Sequence, residues 1–278
     1  MRTALTAIAD ELRRLKTDGV RTVAVADESM AELRAAVARE ARPADPVARE
    51  ARPVAPAALV SPPPTGDKPS RWEALRRQVT DDPTCRSNVR AGKKVVLGVG
   101  NLDAQIMFIG EAPGAEEEVQ GEPFVGPAGQ LLNKMIAGMG IQRSDVYIGN
   151  IMNWRPQLPV GPDGVQCGNR PPTPDEMAHC MPYLLAQIDI VQPAILVALG
   201  ATAAQGLLGS GTFKALGEVR GQWRQFADRP LMVTYHPSYI LRNPTNRSKR
   251  LIWEDLLKVM GRVGLPISEK QRAYYLAK

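Results

Sequence analysis

Four short apolar runs, at residues 104–110, 145–151, 194–200 and 230–235, alternate with helical patterns near 127–139, 174–190, 201–208 and 249–262. A run that is apolar at nearly every position suits a strand buried on both faces, and a helix between successive runs supplies the crossover that parallel strands require. The fold class that follows is α/β: three layers, α/β/α, around a mostly parallel four-stranded sheet. At 278 residues the chain can bury a sizeable core without disulfides or a structural metal.

The first part of the chain reads differently. Leu5, Ile8, Leu12 and Leu15 stand at helical spacing, so residues 1–41 are expected to form an amino-terminal helical extension. Residues 42–70 turn rich in Pro, Ala and Arg, and Val37–Pro43 is echoed by Val47–Pro53; this stretch is expected to be a flexible linker ahead of a catalytic domain at 71–278. The net charge of +6 leans mildly towards a polyanionic partner. No apolar run has the length of a membrane span, no secretory signal core opens the chain, and three cysteines are too few for a disulfide framework, so a cytoplasmic protein is expected.

The stretch after the first strand, Gly110–Gly129, packs glycines, prolines, carboxylates and Phe124 into one loop, as a site needing close backbone approach would. Asn150 ends the second run, Gly200 the third, and His236 follows the fourth. In open α/β sheets the ligand crevice lies outside the carboxyl ends of the strands, so these positions should converge.

Three blocks resemble the uracil-DNA glycosylase superfamily, most closely its family 4: Gly110-Glu111-Ala112-Pro113-Gly114 through Pro123-Phe124-Val125-Gly126-Pro127-Ala128-Gly129, Tyr147-Ile148-Gly149-Asn150, and His236-Pro237-Ser238-Tyr239-Ile240-Leu241-Arg242-Asn243-Pro244. The resemblance spans roughly residues 80–262. It implies monofunctional removal of uracil from single- or double-stranded DNA by a monomer, with no lysine at a Schiff-base position in these blocks. Glu111, His236 and Asn150 would be the catalytic residues: Glu111 positions water, His236 faces uracil O2, and Asn150 pairs with O4 and N3–H. Phe124 would stack on the base, Glu117 would guard the C5 edge, and Ala112 and Gly114 would offer backbone amides. Ser238, Tyr239, Leu241, Arg242 and Arg247 would meet DNA, with Leu241 or Arg242 filling the gap left by the base. Phe124 as plain core packing stays open, and Glu116 and Glu118 read as solvated or capping residues.

Two departures stand out. Family 4 holds a [4Fe-4S] cluster on four cysteines, whereas here Asn88 follows Cys85 where the first pair needs its second cysteine, Trp154 takes the third place, and Cys180 keeps the fourth. No cofactor or metal is therefore expected, with packing around Trp154 in place of the cluster; a set drawn from Cys85, Cys167, Cys180 and His179 remains the alternative. The inserted segment Leu158–Gly168 lacks the Lys-Arg-Arg-Ile-His loop of the branch that traps abasic DNA covalently. Two other functions stay open: a non-catalytic or abasic-site-sequestering DNA binder, and a glycosylase preferring another deaminated base such as hypoxanthine.

Overall fold

Side-chain alternation along the strands decides the layering. In the computed structural model, which describes residues 66–161, 164 and 166–276, strand β1 (Val99–Gly100) is followed by β2 (Ile106–Gly110), β3 (Tyr147–Asn150), β4 (Ile195–Leu199), β5 (Trp223–Phe226) and β6 (Arg229–Thr234). The sheet order is β1-β3-β2-β4-β6-β5. The inner four strands are parallel, as expected, and β1 and β5 are added as antiparallel edges.

Phe108, Val197 and Met232 point to one face, where they meet helices α4 (Pro127–Gly138) and α8 (Asn246–Arg262) through Leu132, Ile136, Ile252 and Leu256. Met107, Ile109, Leu196, Ala198 and Val233 point to the other, against α5 (Pro174–Val191) and α6 (Ala201–Leu208). Each of the larger apolar side chains among these contributes about 1.5–3 kcal/mol on burial, so both faces of the sheet must be covered.

The remaining α-helices among the described residues are α1 (Lys68–Asp81), α2 (Pro83–Ser87), α3 (Ala115–Gln120), α7 (Pro237–Arg242) and α9 (Glu269–Arg272). Helix α1 begins at Lys68, two residues before the expected end of the linker at residue 70, capped by Asp67. The expected amino-terminal helix, and the linker up to residue 65, lie outside the described residues. Leu75 and Val79 of α1 pack with Trp154, Cys85, Cys180 and Tyr183 into a third apolar cluster beside α5. No helix among the described residues is long and apolar enough to cross a membrane.

One polar network ties the sheet's carboxyl edge to α8. Asp255 is fully buried and accepts from Arg220 (2.8 Å) and from the Thr234 hydroxyl (2.7 Å) at the end of β6. Asp255→Ala strands the Arg220 guanidinium, and a loss of about 3 kcal/mol is expected. Urea unfolding checks this as a shift in midpoint at unchanged slope.

Candidate active site

The carboxyl ends of β3, β2, β4 and β6 lie side by side in that order, which lines up Asn150, Glu111, Gly200 and the segment leading to His236. At this edge a cavity of about 300 Å³ is lined by Ala112, Gly114, Glu117, Phe124, Asn150 and His236, together with Ser238 and Arg242. Two close approaches depend on glycine. A Cβ on Gly110 would strike Asn150 Oδ1 and come within 2.6 Å of the Phe124 ring, and one on Gly200 would sit 3.0 Å from His236 Cβ.

Asn150 is buried, yet neither Nδ2 nor Oδ1 has a hydrogen-bond partner among the described residues. A buried donor and a buried acceptor left unpaired each cost about 1–3 kcal/mol, so such an amide is built to be completed by something that enters the cavity.

Phe124 stands at the boundary between the core and the cavity. It is only 5% exposed and packs in the core cluster under α4, and it also lines the cavity, 5.5 Å from the His236 ring. Its backbone is left-handed, with φ 56°, which costs a non-glycine residue about 1–3 kcal/mol. Arg143 holds it there, donating to the carbonyls of Phe124 (3.2 Å) and Pro123 (2.6 Å) and to Asn133 (3.0 Å).

Glu117 is the staple of the loop. One oxygen accepts from the Gly114 amide (3.1 Å) and the other from the amides of Val125 and Gly126 (both 3.0 Å). The carboxylate therefore borders the cavity at a fixed position. Its neighbour Glu118 corrects the expectation of a solvated or capping residue: it is 8% exposed and pairs with Arg155 at 2.9 Å. Arg155 in turn bonds Asn169, which lines the cavity too.

Glu111 leaves β2 with a partly buried carboxyl group, which burial raises above the ordinary value against the opposing hydrogen bond from Thr202. His236 is lowered to about 4, first by burial and then by the charge of Arg242, against a smaller opposite effect of Glu117. It is neutral at neutral pH. Its Nδ1 accepts from the Ser238 amide (3.2 Å) and lies 2.8 Å from the Ser238 hydroxyl, which itself accepts from Arg242 (3.1 Å). With Nδ1 held as an acceptor, the ring proton belongs on Nε2.

The expected DNA-contacting residues divide. Ser238 and Arg242 are spent on His236 and the cavity, and Tyr239 stacks on Tyr235 at 4.3 Å. Leu241 is 48% exposed, and Arg242 and Arg247 are exposed as well; of the two candidate wedges Arg242 donates to Ser238. A larger hollow of about 560 Å³ opens at the far end of α3, with Arg76, Arg86, Arg90, Lys93 and Lys94 in its lining and no carboxylate among the described residues there.

Arg143, Asn169, Thr202 and Arg155 were beyond reach of the sequence as site residues. Asn169 opens the block Asn169-Arg170-Pro171-Pro172, which is the one signal that could have drawn attention to it.

Known proteins of similar sequence identify the family. A sequence profile described as "Uracil DNA glycosylase superfamily" matches residues 97–257. The type-4 uracil-DNA glycosylase of Thermotoga maritima is 44% identical over 167 residues, which is 59% of this chain and 80% of that protein. The Saccharolobus solfataricus and Archaeoglobus fulgidus enzymes of the same description are 40% and 39% identical, over 60% and 55% of this chain and 75% of each relative. With more than half of its length matched by the profile, and with the matched segment carrying the cavity, the chain belongs to the uracil-DNA glycosylase superfamily.

Proposed function

We propose that this chain is a monofunctional uracil-DNA glycosylase, which hydrolyses the N-glycosidic bond of a deoxyuridine extruded from single- or double-stranded DNA and leaves an abasic site. The observation that carries the reading is the orphaned Asn150 amide. Uracil offers an acceptor at O4 beside a donor at N3, the complement of Nδ2 and Oδ1; cytosine presents the reverse pattern and would leave both pairs mismatched.

The other groups fall into place around that pair. Phe124 supplies the stacking face, worth about 1–3 kcal/mol per base. Glu117, locked by three amides, cannot swing aside for thymine's methyl group, which supports its place at the C5 edge. The Nε2–H of His236 donates to O2 as negative charge gathers there, and a neutral imidazole does so without a proton transfer. Glu111 orients the attacking water and faces the positive charge that develops on the sugar. Leu241 fills the vacated stack, and Arg247 with the basic lining of the larger hollow attracts phosphates.

The residues do not fit a four-thiolate iron-sulfur cluster. Cys85 and Cys180 are buried beside Trp154, whose indole occupies the same apolar cluster, while Cys167 is exposed in the inserted segment. We read the enzyme as working without that cluster, as a monomer in a reducing compartment, which suits three free cysteines.

The test of base choice is excision from otherwise identical oligonucleotides carrying uracil, cytosine, thymine or hypoxanthine, scored as alkali-labile strand breaks. Uracil alone should be removed efficiently; preferred excision of hypoxanthine would reassign the cavity. A pH profile checks Glu111. The carboxylate must be ionised, so the rate should fall as pH drops through a value above the ordinary 4.5, and Glu111→Gln should be slow and free of that acid limb.

A further inference from the structure

Cys85, which holds one place in the family's cysteine pattern, comes together in space with two residues outside that pattern, Asp82 and His179. Asp82 caps α2, Cys85 lies within α2, and His179 stands on α5; one donor atom from each falls within 4.8 Å of the others. Asp82 Oδ1 is already 3.1 Å from His179 Nε2, and its other oxygen accepts a 2.8 Å hydrogen bond from the Tyr183 hydroxyl. Cys85 is fully buried, whereas the side chains of Asp82 and His179 keep 14% and 24% of their surface exposed, so the group is shielded on one side and open to solvent on the other.

We propose that Asp82, Cys85 and His179 bind a single zinc ion, with water in the fourth position. A tetrahedral zinc with N, O and S donors at about 2.0–2.3 Å places those donors roughly 3.3–3.7 Å apart. The Asp82–His179 pair is inside that separation and the widest allowed pair is about 1 Å beyond it, a closure that side-chain rotation can supply. A mixed sulfur, nitrogen and oxygen set selects zinc over magnesium or calcium, which want oxygen alone. The Tyr183 hydroxyl orients the carboxylate from outside, the usual task of a group behind a metal ligand. On binding, the Cys85 S–H bond breaks, its proton passes to solvent, and a zinc–sulfur bond forms without any change of oxidation state. The ion would staple α2 to α5.

The test uses the full chain, stripped by chelator and titrated with Co²⁺ and then Zn²⁺. The expected result is one Co²⁺ per chain with tetrahedral visible bands and a near-ultraviolet thiolate charge-transfer band, displaced by an equivalent of Zn²⁺, and a thermal midpoint raised by zinc. Cys85→Ser should lose the charge-transfer band, His179→Gln should weaken binding by about tenfold or more, and Cys167→Ser should change nothing. Should Cys85→Ser fail to fold, His179→Gln decides alone. Weak octahedral cobalt spectra, a thiolate band that survives in folded Cys85→Ser, or iron with acid-labile sulfide in anaerobically purified protein would overturn the proposal. Every readout is independent of uracil excision.

Discussion

Asn150→Asp is expected to slow uracil excision by about 10³-fold. The substitution removes the Nδ2 donor and sets a carboxylate oxygen against uracil O4, so that contact turns from attractive to repulsive and leaves two acceptors mispaired in a buried site, while N3–H keeps its acceptor. At about 1–3 kcal/mol for each mispaired group, and 1.4 kcal/mol per factor of ten, the loss centres near three orders of magnitude. Single-turnover rates on a uracil oligonucleotide measure it directly. Because the amide bonds to nothing among the described residues, Asn150→Ala should lose activity without the stability penalty that normally follows deletion of a bonded buried amide. A wild-type rate in Asn150→Asp would remove Asn150 from base recognition.

His236→Ala is expected to cost about 2.7–4 kcal/mol of barrier, a factor of 10²–10³ in the chemical step, as for loss of one oxyanion donor. The same assignment fixes a pH signature. A histidine lowered from 6.5 to about 4 holds one charge state across the neutral range, so the wild-type profile should show no inflection near 6.5. Acid also acts on stability. Below 6.5 the unfolded chain takes up a proton that folded His236 refuses until about 4, so this residue should make the protein progressively less stable across that interval. Arg242→Ala, which removes the nearby charge and the hydrogen bond to Ser238, should raise the pKa of His236 and move any histidine-dependent loss to higher pH.

The core of the sheet was legible because its four parallel strands are buried on both faces and read as unbroken apolar runs. The edges were not. Strand β1 is two residues long, and β5, Trp223-Arg224-Gln225-Phe226, carries little apolar surface; it turns into β6 through Ala227 and Asp228, both at positive φ, without the Asn-Gly or Asp-Gly pair that advertises such a hairpin. In the site, the groups that would touch the base stand in ordered sequence blocks and could be named from them. The groups that hold those blocks in shape could not, since Arg143 lies 19 residues from the Phe124 carbonyl it supports and Arg155 lies 37 from Glu118. Asp82 was missed for another reason. Its spacing to Cys85 repeats the Cys-x-x-Cys interval with a carboxylate in first place, so a search for cysteines alone passes over it.

The most direct test of the central claim is the release of free base, followed by mass spectrometry, from single-stranded, U·A and U·G oligonucleotides incubated with the purified full chain. The account predicts stoichiometric free uracil and strands that stay intact until alkali is added. No uracil from any of the three substrates would contradict it.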